Sequence, residues 1–397
     1  MTGQQHALKG IRVLDLGRYQ AGPRAALILS RMGAEVIKIE KPGGDESRDH
    51  GPFVRGQSAY WVQYNSGKLS LGLNLRTQAG KEVLSDLVKV SDIFIQNFRP
   101  GTIERMGFSY AKLRELNRRI IMVNVSAYGQ TGPYKDRIGF DPIGQAISGM
   151  MLLSGFPGEP PSRTYNPIID RLTALHATIG ALSALHEREV SGEGQTIDVC
   201  LADSGYSMTE IQCSAYLGEE INTEREGNGR GTTNVYQTHD GWILLSAQSN
   251  HIWPRFCSVI GKPEWATDDK FINRAARDKN YLIIEEFLTK WFKVQRTGTV
   301  VESISKLGIP IHSVNDIPTA AVDSHLHDRE LLVEVPDPIA GKIHVSGDII
   351  KLSRSGSKIG STPTPGEHTK TILTDILGYD QNRLSSLSSE GAVYFSQ

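Results

Sequence analysis

The chain of 397 residues has only three cysteines, Cys200, Cys213 and Cys257, an odd number with no CxxC pair and no His/Cys cluster. That excludes a disulfide framework and argues against structural zinc, so no metal is expected. Long apolar runs are lacking as well, and no stretch of about 18 apolar residues offers a membrane span. The opening Met1-Thr-Gly-Gln-Gln-His is polar and lacks the charged-then-apolar pattern of a secretion signal. Charge of one sign is missing too. The 43 Lys and Arg against 44 Asp and Glu leave a net charge of −1, without the basic footprint of a nucleic-acid binder. These absences leave a cytoplasmic protein with neither membrane nor nucleic-acid partner as the expectation. At this length, two or three folding units are expected.

What is present begins with alternation of element types. Residues 10–17 read as a buried strand, 25–32 as a helix and 34–40 as a second strand. Such a βαβ unit implies α/β architecture with a parallel sheet covered by helices. Glu40 stands about 20 residues beyond the first strand, as in dinucleotide-binding folds. The intervening turn, Gly17-Arg-Tyr-Gln-Ala-Gly22-Pro23, nevertheless lacks the GxGxxG fingerprint, which excludes NAD. Further strands are expected at 69–75, 92–96 and 119–126, with a helix at 78–89. Three strands empty into Gly/Pro loops with polar groups: Lys41-Pro-Gly-Gly-Asp-Glu-Ser-Arg48, Asn97-Phe-Arg-Pro-Gly101 and Ala127-Tyr-Gly-Gln-Thr-Gly132-Pro133. Open α/β sheets bind ligands at such carboxyl-end loops.

The segment from Asn166 to Glu189 has helical periodicity with two apolar faces. Ile168, Leu172, Leu175, Ile179, Leu182 and Leu185 form a stripe of large residues, and Ala174, Ala177, Ala181 and Ala184 one of small residues. Apolarity on both sides predicts a buried helix. Asn166 as cap and Pro167 at the first position mark its start. Asp170 falls in or beside the first turn, where the helix dipole favours an ionised carboxylate. A poorly solvated anion there is a candidate nucleophile; an acid serving only the dipole is the plainer alternative. Residues 202–226 read as helical and then polar. The glycine-rich stretch 227–231 opens a segment of different composition, as a linker or flexible lid. Residues 334–353 read as short strands around Gly341 and Gly347, and the tail as a loop and a helix.

In order along the chain, Gln20-Ala-Gly-Pro23, Gly33-Ala-Glu-Val-Ile-Lys-Ile-Glu40, Asn65-Ser-Gly-Lys-Leu-Ser70, Gln96-Asn-Phe-Arg-Pro-Gly101 with Arg105-Met-Gly107, Tyr128-Gly-Gln-Thr-Gly-Pro133, Gly192-Glu-Gly-Gln195 and Pro365-Gly-Glu-His368 carry a resemblance. By these motifs the chain resembles the family III CoA-transferases, also called the CaiB/BaiF family and including formyl-CoA transferase, over nearly its whole length. The resemblance implies a Rossmann-like large domain (residues 1–201 and 346–397) and a smaller α+β domain (227–318), joined by linkers at 202–226 and 319–345. It also implies a homodimer of interlocked rings, acyl-CoA and carboxylic-acid substrates, and no permanently bound cofactor, coenzyme A being part of the substrate.

The resemblance assigns Asp170 as the nucleophile, passing through an aspartyl–acyl anhydride and an aspartyl-CoA thioester. It assigns Gln20 to the intermediate's carbonyl, and Lys41, Leu73, Asn97, Phe98 and Arg105 to CoA. Some members carry Lys where Ser126 stands, and formyl-CoA transferase has a run of glycines that 227–231 lacks. An acyl pocket is expected from residues 139–153 and 227–236, with Arg163 or Arg230 for a second carboxylate. Two alternatives stand beside this reading. An α-methylacyl-CoA racemase keeps the aspartate but pairs it with a histidine in a Gly-His-Asp stretch, which here is Gly139-Phe140-Asp141; phenylalanine moves no proton. His176, on the large-residue face, is expected to be a packed core histidine. A non-catalytic CoA-binding protein would have no use for a desolvated Asp170.

Overall fold

The computed structural model describes residues 6–396. The chain folds as two compact units, the larger from Met1–Met150, Arg163–Ser214 and Ser324–Gln397 and the smaller from Met151–Ser162 and Ala215–Asp323.

In the larger unit, β1 (Arg12–Asp15), α1 (Ala21–Arg31), β2 (Glu35–Glu40), α2 (Ala59–Asn65), β3 (Leu69–Leu73), α3 (Gln78–Lys89), β4 (Ile93–Gln96), β5 (Ile121–Ser126), α4 (Asp141–Ile147), α5 (Ile168–Ser191), β6 (Thr196–Cys200) and β7 (Val393–Tyr394) build one seven-stranded sheet and its covering helices. The order across the sheet is β7-β3-β2-β1-β4-β5-β6, parallel throughout except for β7, which runs antiparallel along β3. This is the strand order of a Rossmann-like fold. The βαβ reading of the first 40 residues holds, although α1 starts four residues earlier than the sequence implied. Pro23 falls in its first turn, where a missing N–H costs no helical bond.

Strand alternation divides the core in two. Val13, Ile93, Ile95 and Val123 point to a layer formed by α1 and α5, while Leu14, Phe94 and Met122 point to α3 and the tail residues Ile372, Leu384 and Leu387. The Pro365-Gly-Glu-His368 motif fastens the tail. The Ser70 hydroxyl accepts the Gly366 N–H at 2.8 Å, and the Ser70 carbonyl accepts the His368 N–H at 2.9 Å.

The two-faced helix α5 departs from expectation on one side. Its alanine stripe is buried against α1 and the sheet, as small residues allow. The large-residue face is only partly covered: Leu185 is buried and Leu182 packs on the core, but Leu175 is 42% and Ile179 60% exposed within the chain. Among the described residues α5 is also the one helix long and apolar enough to cross a membrane, but its packing is that of a core helix. Its start differs too. Pro167 rather than Asn166 is the N-cap residue, and no side chain of the local sequence caps it.

The smaller unit is α+β. Strands Thr233–Gln237, Trp242–Ser246 and Ile311–Ser313 form an antiparallel sheet. Its face packs Tyr236, Ile243 and Leu245 against Trp253, Phe256, Ile284, Leu288 and Phe292 of the helices. The 227–231 loop is tied within this unit by Glu285, whose carboxylate accepts the Gly231 N–H at 3.2 Å.

Ala181 sits fully buried where α5 meets the α1 layer. Ala181→Leu should therefore cost about 1–3 kcal/mol by overpacking. Ser183→Leu on the exposed side should stay within about 0.5 kcal/mol. Urea unfolding of the two variants checks this; equal stabilities would contradict the packing.

Candidate active site

In a sheet of this order the chain leaves β1 toward β2 and leaves β4 toward β5, so the loops at their carboxyl ends diverge and open a crevice. The β1 loop carries Gln20 and the β4 loop Asn97. The two are stitched together: the Arg18 N–H donates to Asn97 Oδ1 at 2.7 Å and Asn97 Nδ2 donates to the Arg18 carbonyl at 2.8 Å. Between them Tyr19 adopts a left-handed backbone with φ of 59°. Non-glycine residues take that conformation only where surroundings impose it.

Two cavities meet at this crevice. One, of about 740 Å³, is lined by Lys41, Leu73, Arg18, Arg76 and Phe98 among others. The second, of about 280 Å³, is lined by Arg18, Gln20, Asn97, Phe98, Phe140 and Asp170 among others. Arg18 and Phe98 belong to both, with the guanidinium 5.2 Å from the ring centroid. The structure thus brings Gln20, Asn97 and Asp170 to one cavity and Lys41 and Leu73 to its neighbour, with Phe98 at their shared wall. Lys41 is exposed and paired with Glu46 at 2.6 Å. Arg105 stands apart from both linings, exposed and bonded to Thr102 Oγ1 at 3.0 Å; Thr102 itself lines the larger cavity. Ser126 lines the smaller one, its hydroxyl accepting the Gly129 N–H at 2.9 Å. Of the expected acyl-pocket residues, Gly139 and Phe140 line that cavity. Arg163 is exposed and outside its lining, and Arg230, in the smaller unit, is paired with Glu226 at 3.2 Å.

The cap missing from the start of α5 comes from another segment. Asp141 Oδ1, at the beginning of α4, accepts the Asp170 N–H at 2.9 Å. Asp141 is itself buried and held by Gln145 Nε2 at 2.5 Å. Its proximity corrects the expectation for Asp170. Burial first, and then the Asp141 carboxylate, push the Asp170 carboxyl up to about 7, against the helix dipole. Asp170 is therefore a carboxyl that titrates near neutrality. Gln20 is buried, and one of its amide hydrogens is directed to the Pro167 carbonyl at 3.4 Å, just ahead of α5. The second amide hydrogen remains for a ligand.

Phe140 is 63% exposed, lines the same cavity as Asp170 and lies edge-on to Tyr19, centroids 6.3 Å apart. His176 is not a closed core residue. It is half-buried, with Nδ1 3.0 Å from Ser204 Oγ. No group of three or more His, Cys, Asp or Glu among the described residues is arranged to hold a metal.

Sequence reasoning missed Asp141, Arg18 and Arg76. Asp141 was visible as the last residue of Gly139-Phe140-Asp141, but its partner lies 29 positions away. The two arginines could have been found as cations three residues beyond the ends of β1 and β3.

Comparison with known proteins agrees with this geometry. The model of CoA-transferase family III matches residues 8–369. The chain is 34% identical over 393 residues to the succinyl-CoA–D-citramalate CoA-transferase of Chloroflexus aurantiacus, covering 97% of this chain and 98% of that one. It is 31% identical over 392 residues to the human succinyl-CoA:glutarate CoA-transferase, covering 97% and 90%. Among solved structures, a CaiB/BaiF family protein from Brucella suis superposes with a TM-score of 0.84 at 28% identity, covering 94% of this chain and all of that one. With strand order, crevice and whole-length similarity in agreement, the chain belongs to CoA-transferase family III, as its motifs implied.

Proposed function

We propose that the protein moves CoA from an acyl-CoA to a carboxylic acid, with Asp170 as covalent nucleophile. The observation that carries this is a single half-buried carboxyl at the back of a crevice, beside an amide donor and away from any histidine in the cavity lining. An Asp170 oxygen attacks the thioester carbonyl, the C–S bond breaks, and a mixed anhydride and CoA thiolate result. The thiolate attacks the Asp170 carbonyl carbon, releasing the first acid as carboxylate and leaving an aspartyl-CoA thioester. The acceptor carboxylate attacks that thioester, expelling the thiolate and forming a new anhydride. The thiolate then takes the acceptor's acyl carbon and Asp170 is regenerated. No proton, metal or nucleotide is consumed, because each step exchanges one activated acyl species for another.

Gln20 donates to the oxygen on which charge develops. Asn97 holds the β1 loop that carries Gln20. Lys41 serves the phosphates of CoA along the larger cavity, with Arg105 behind Thr102 outside its lining, and Leu73 and Phe98 serve the apolar parts of CoA; Arg18 and Arg76 add positive charge there. The guanidinium groups of Arg18, Arg99 and Arg137 around the smaller cavity favour a substrate with a second carboxylate. The relatives' names point the same way, so succinyl-CoA with a dicarboxylic acceptor is the proposed pairing. The residue at 140 disfavours racemisation, and Asp170 held near neutrality disfavours a binding-only role.

The open face of α5, at Leu175 and Ile179, supports a homodimer, which we take to be of the interlocked kind. Light scattering should return twice the mass of one chain; a monomer at micromolar concentration would count against it.

Asp170→Ala should reduce succinyl-CoA-dependent CoA exchange, assayed against a panel of mono- and dicarboxylic acids, by on the order of 1,000-fold or more, with CoA affinity nearly unchanged. Hydroxylamine should attack the activated Asp170 carbonyl of the parent's covalent intermediates, expelling the acid or the CoA thiolate and leaving an Asp170 hydroxamate read by mass spectrometry. Substantial turnover by the variant would end the covalent reading.

Because the nucleophile is the ionised form, kcat/KM for acyl-CoA should rise with pH through an apparent pKa near 7. Asp141→Asn removes the like charge while keeping an oxygen for the Asp170 N–H, and should move that rise to lower pH. An unmoved profile would show that Asp141 does not set the acidity.

A further inference from the structure

We propose that Lys68 is a positioning residue for this reaction: with Lys38 and Asp15 it clamps both ends of the 17–23 loop and thereby holds Gln20 at the start of α5. The inference rests on the CoA-transfer reading above, but its geometry is independent of it.

Lys68 is fully buried, and its three ammonium hydrogens have three acceptors: Asp15 Oδ2 at 2.7 Å, the Pro23 carbonyl at 2.8 Å and Asn65 Oδ1 at 2.9 Å. Lys38, equally buried, donates to the Gly17 carbonyl and meets Asp45 Oδ2 at 3.1 Å. Asp15 joins the two, since its Oδ1 accepts the Gly17 N–H at 2.8 Å and lies 4.0 Å from Lys38 Nζ. The loop is therefore gripped at Gly17 by a carboxylate and an ammonium, at Arg18 by Asn97, and at Pro23 by a second ammonium.

What lies between the grips is the strained Tyr19 and then Gln20. A left-handed tyrosine relaxes unless its surroundings over-determine it. Relaxing it would swing the next residue, Gln20, out of line with the Pro167 carbonyl. Lys68 lines neither cavity, so it has no direct path to substrate. Two buried cations matched to Asp15 and Asp45 are also a costly way to build a core, because apolar residues of the same size often serve stability as well. The arrangement has a use if its product is the position of the loop.

The test is a mutant cycle on the full-length protein with succinyl-CoA and its best acceptor. Lys68→Met should lower kcat by about 100-fold with KM for succinyl-CoA changed less than about threefold, as a small misplacement of a catalytic group does. In a Gln20→Ala background the same substitution should cost less than about threefold, because the group it positions is gone. Arg188→Met, which breaks the pair of the buried Arg188 with the half-buried Asp92 (3.0 Å) at the C-terminal end of α5, controls for lost stability and should leave kcat nearly unchanged.

Hydrogen exchange gives a readout that needs no activity. The amides of residues 18–21 should exchange faster in Lys68→Met than in Arg188→Met. Should Lys68→Met not fold, Asp15→Asn is the second variant, with the same expected pattern. Full additivity with Gln20→Ala, or unchanged exchange of the loop amides, overturns the clamp. A parent that fails to exchange CoA with any acid overturns the functional reading instead, and hydrogen exchange then decides the clamp alone.

Discussion

Two ammonium groups and two carboxylates, closed off from water at the carboxyl ends of β1 and β2, are the contact on which the rest of the crevice depends. Lys38, Lys68, Asp15 and Asp45 are each almost wholly buried, and their charges balance. Removing one member of such a set leaves an unmatched charge in a low dielectric, at a cost of about 3–5 kcal/mol. Their hydrogen bonds go mainly to one another and to main-chain carbonyl and N–H groups, so the quartet fixes backbone rather than packing. Lys38 reaches Asp45, at the wall of the larger cavity, and Lys68 reaches Pro23, at the first turn of α1. Both cavities are thus referenced to the same four side chains.

Much of the fold was legible in the sequence because it follows from short-range pattern. Residues 10–40 alternate in a way that only a βαβ unit satisfies, and the apolar strands 93–96 and 121–126 appear where their composition puts them. The alanine stripe of α5 indicated close backbone approach, and α1 supplies it. What was not legible depends on partners distant in sequence. The open face of α5 reads as core by composition, since hydropathy does not say which of two apolar faces the chain itself covers. Nor does it show that the helix start is capped by Asp141 rather than by the adjacent Asn166. Tyr19 gives no sign of a left-handed backbone, which glycine or asparagine would have signalled.

The candidate site was legible in a different sense. The motif residues other than Arg105 came together: Gln20, Asn97 and Phe98 share a cavity with Asp170, and Lys41 and Leu73 share the next. Their electrostatics were not legible. A carboxyl in the first turn of a helix has the dipole on its side, and sequence alone therefore favours ionisation. Burial and the second carboxylate reverse that preference, and both are products of tertiary structure.

The raised pKa of Asp170 also has a thermodynamic side. A carboxyl whose value climbs from 3.8 to about 7 on folding prefers its protonated form in the native protein. The contribution of Asp170 to stability is then greatest below pH 4, falls as pH rises from about 4 to 7, and is level above that, a total of up to about 4 kcal/mol given about 1.36 kcal/mol per pH unit. Above neutrality the free enzyme carries an anion that its own interior disfavours. In an anhydride or a thioester the same carboxyl has no charge. The burial that penalises the resting carboxylate does not penalise its acylated forms, so under the proposed mechanism the protein interior itself tilts the equilibrium toward the covalent intermediates, and acylation relieves a load that the folded chain otherwise bears.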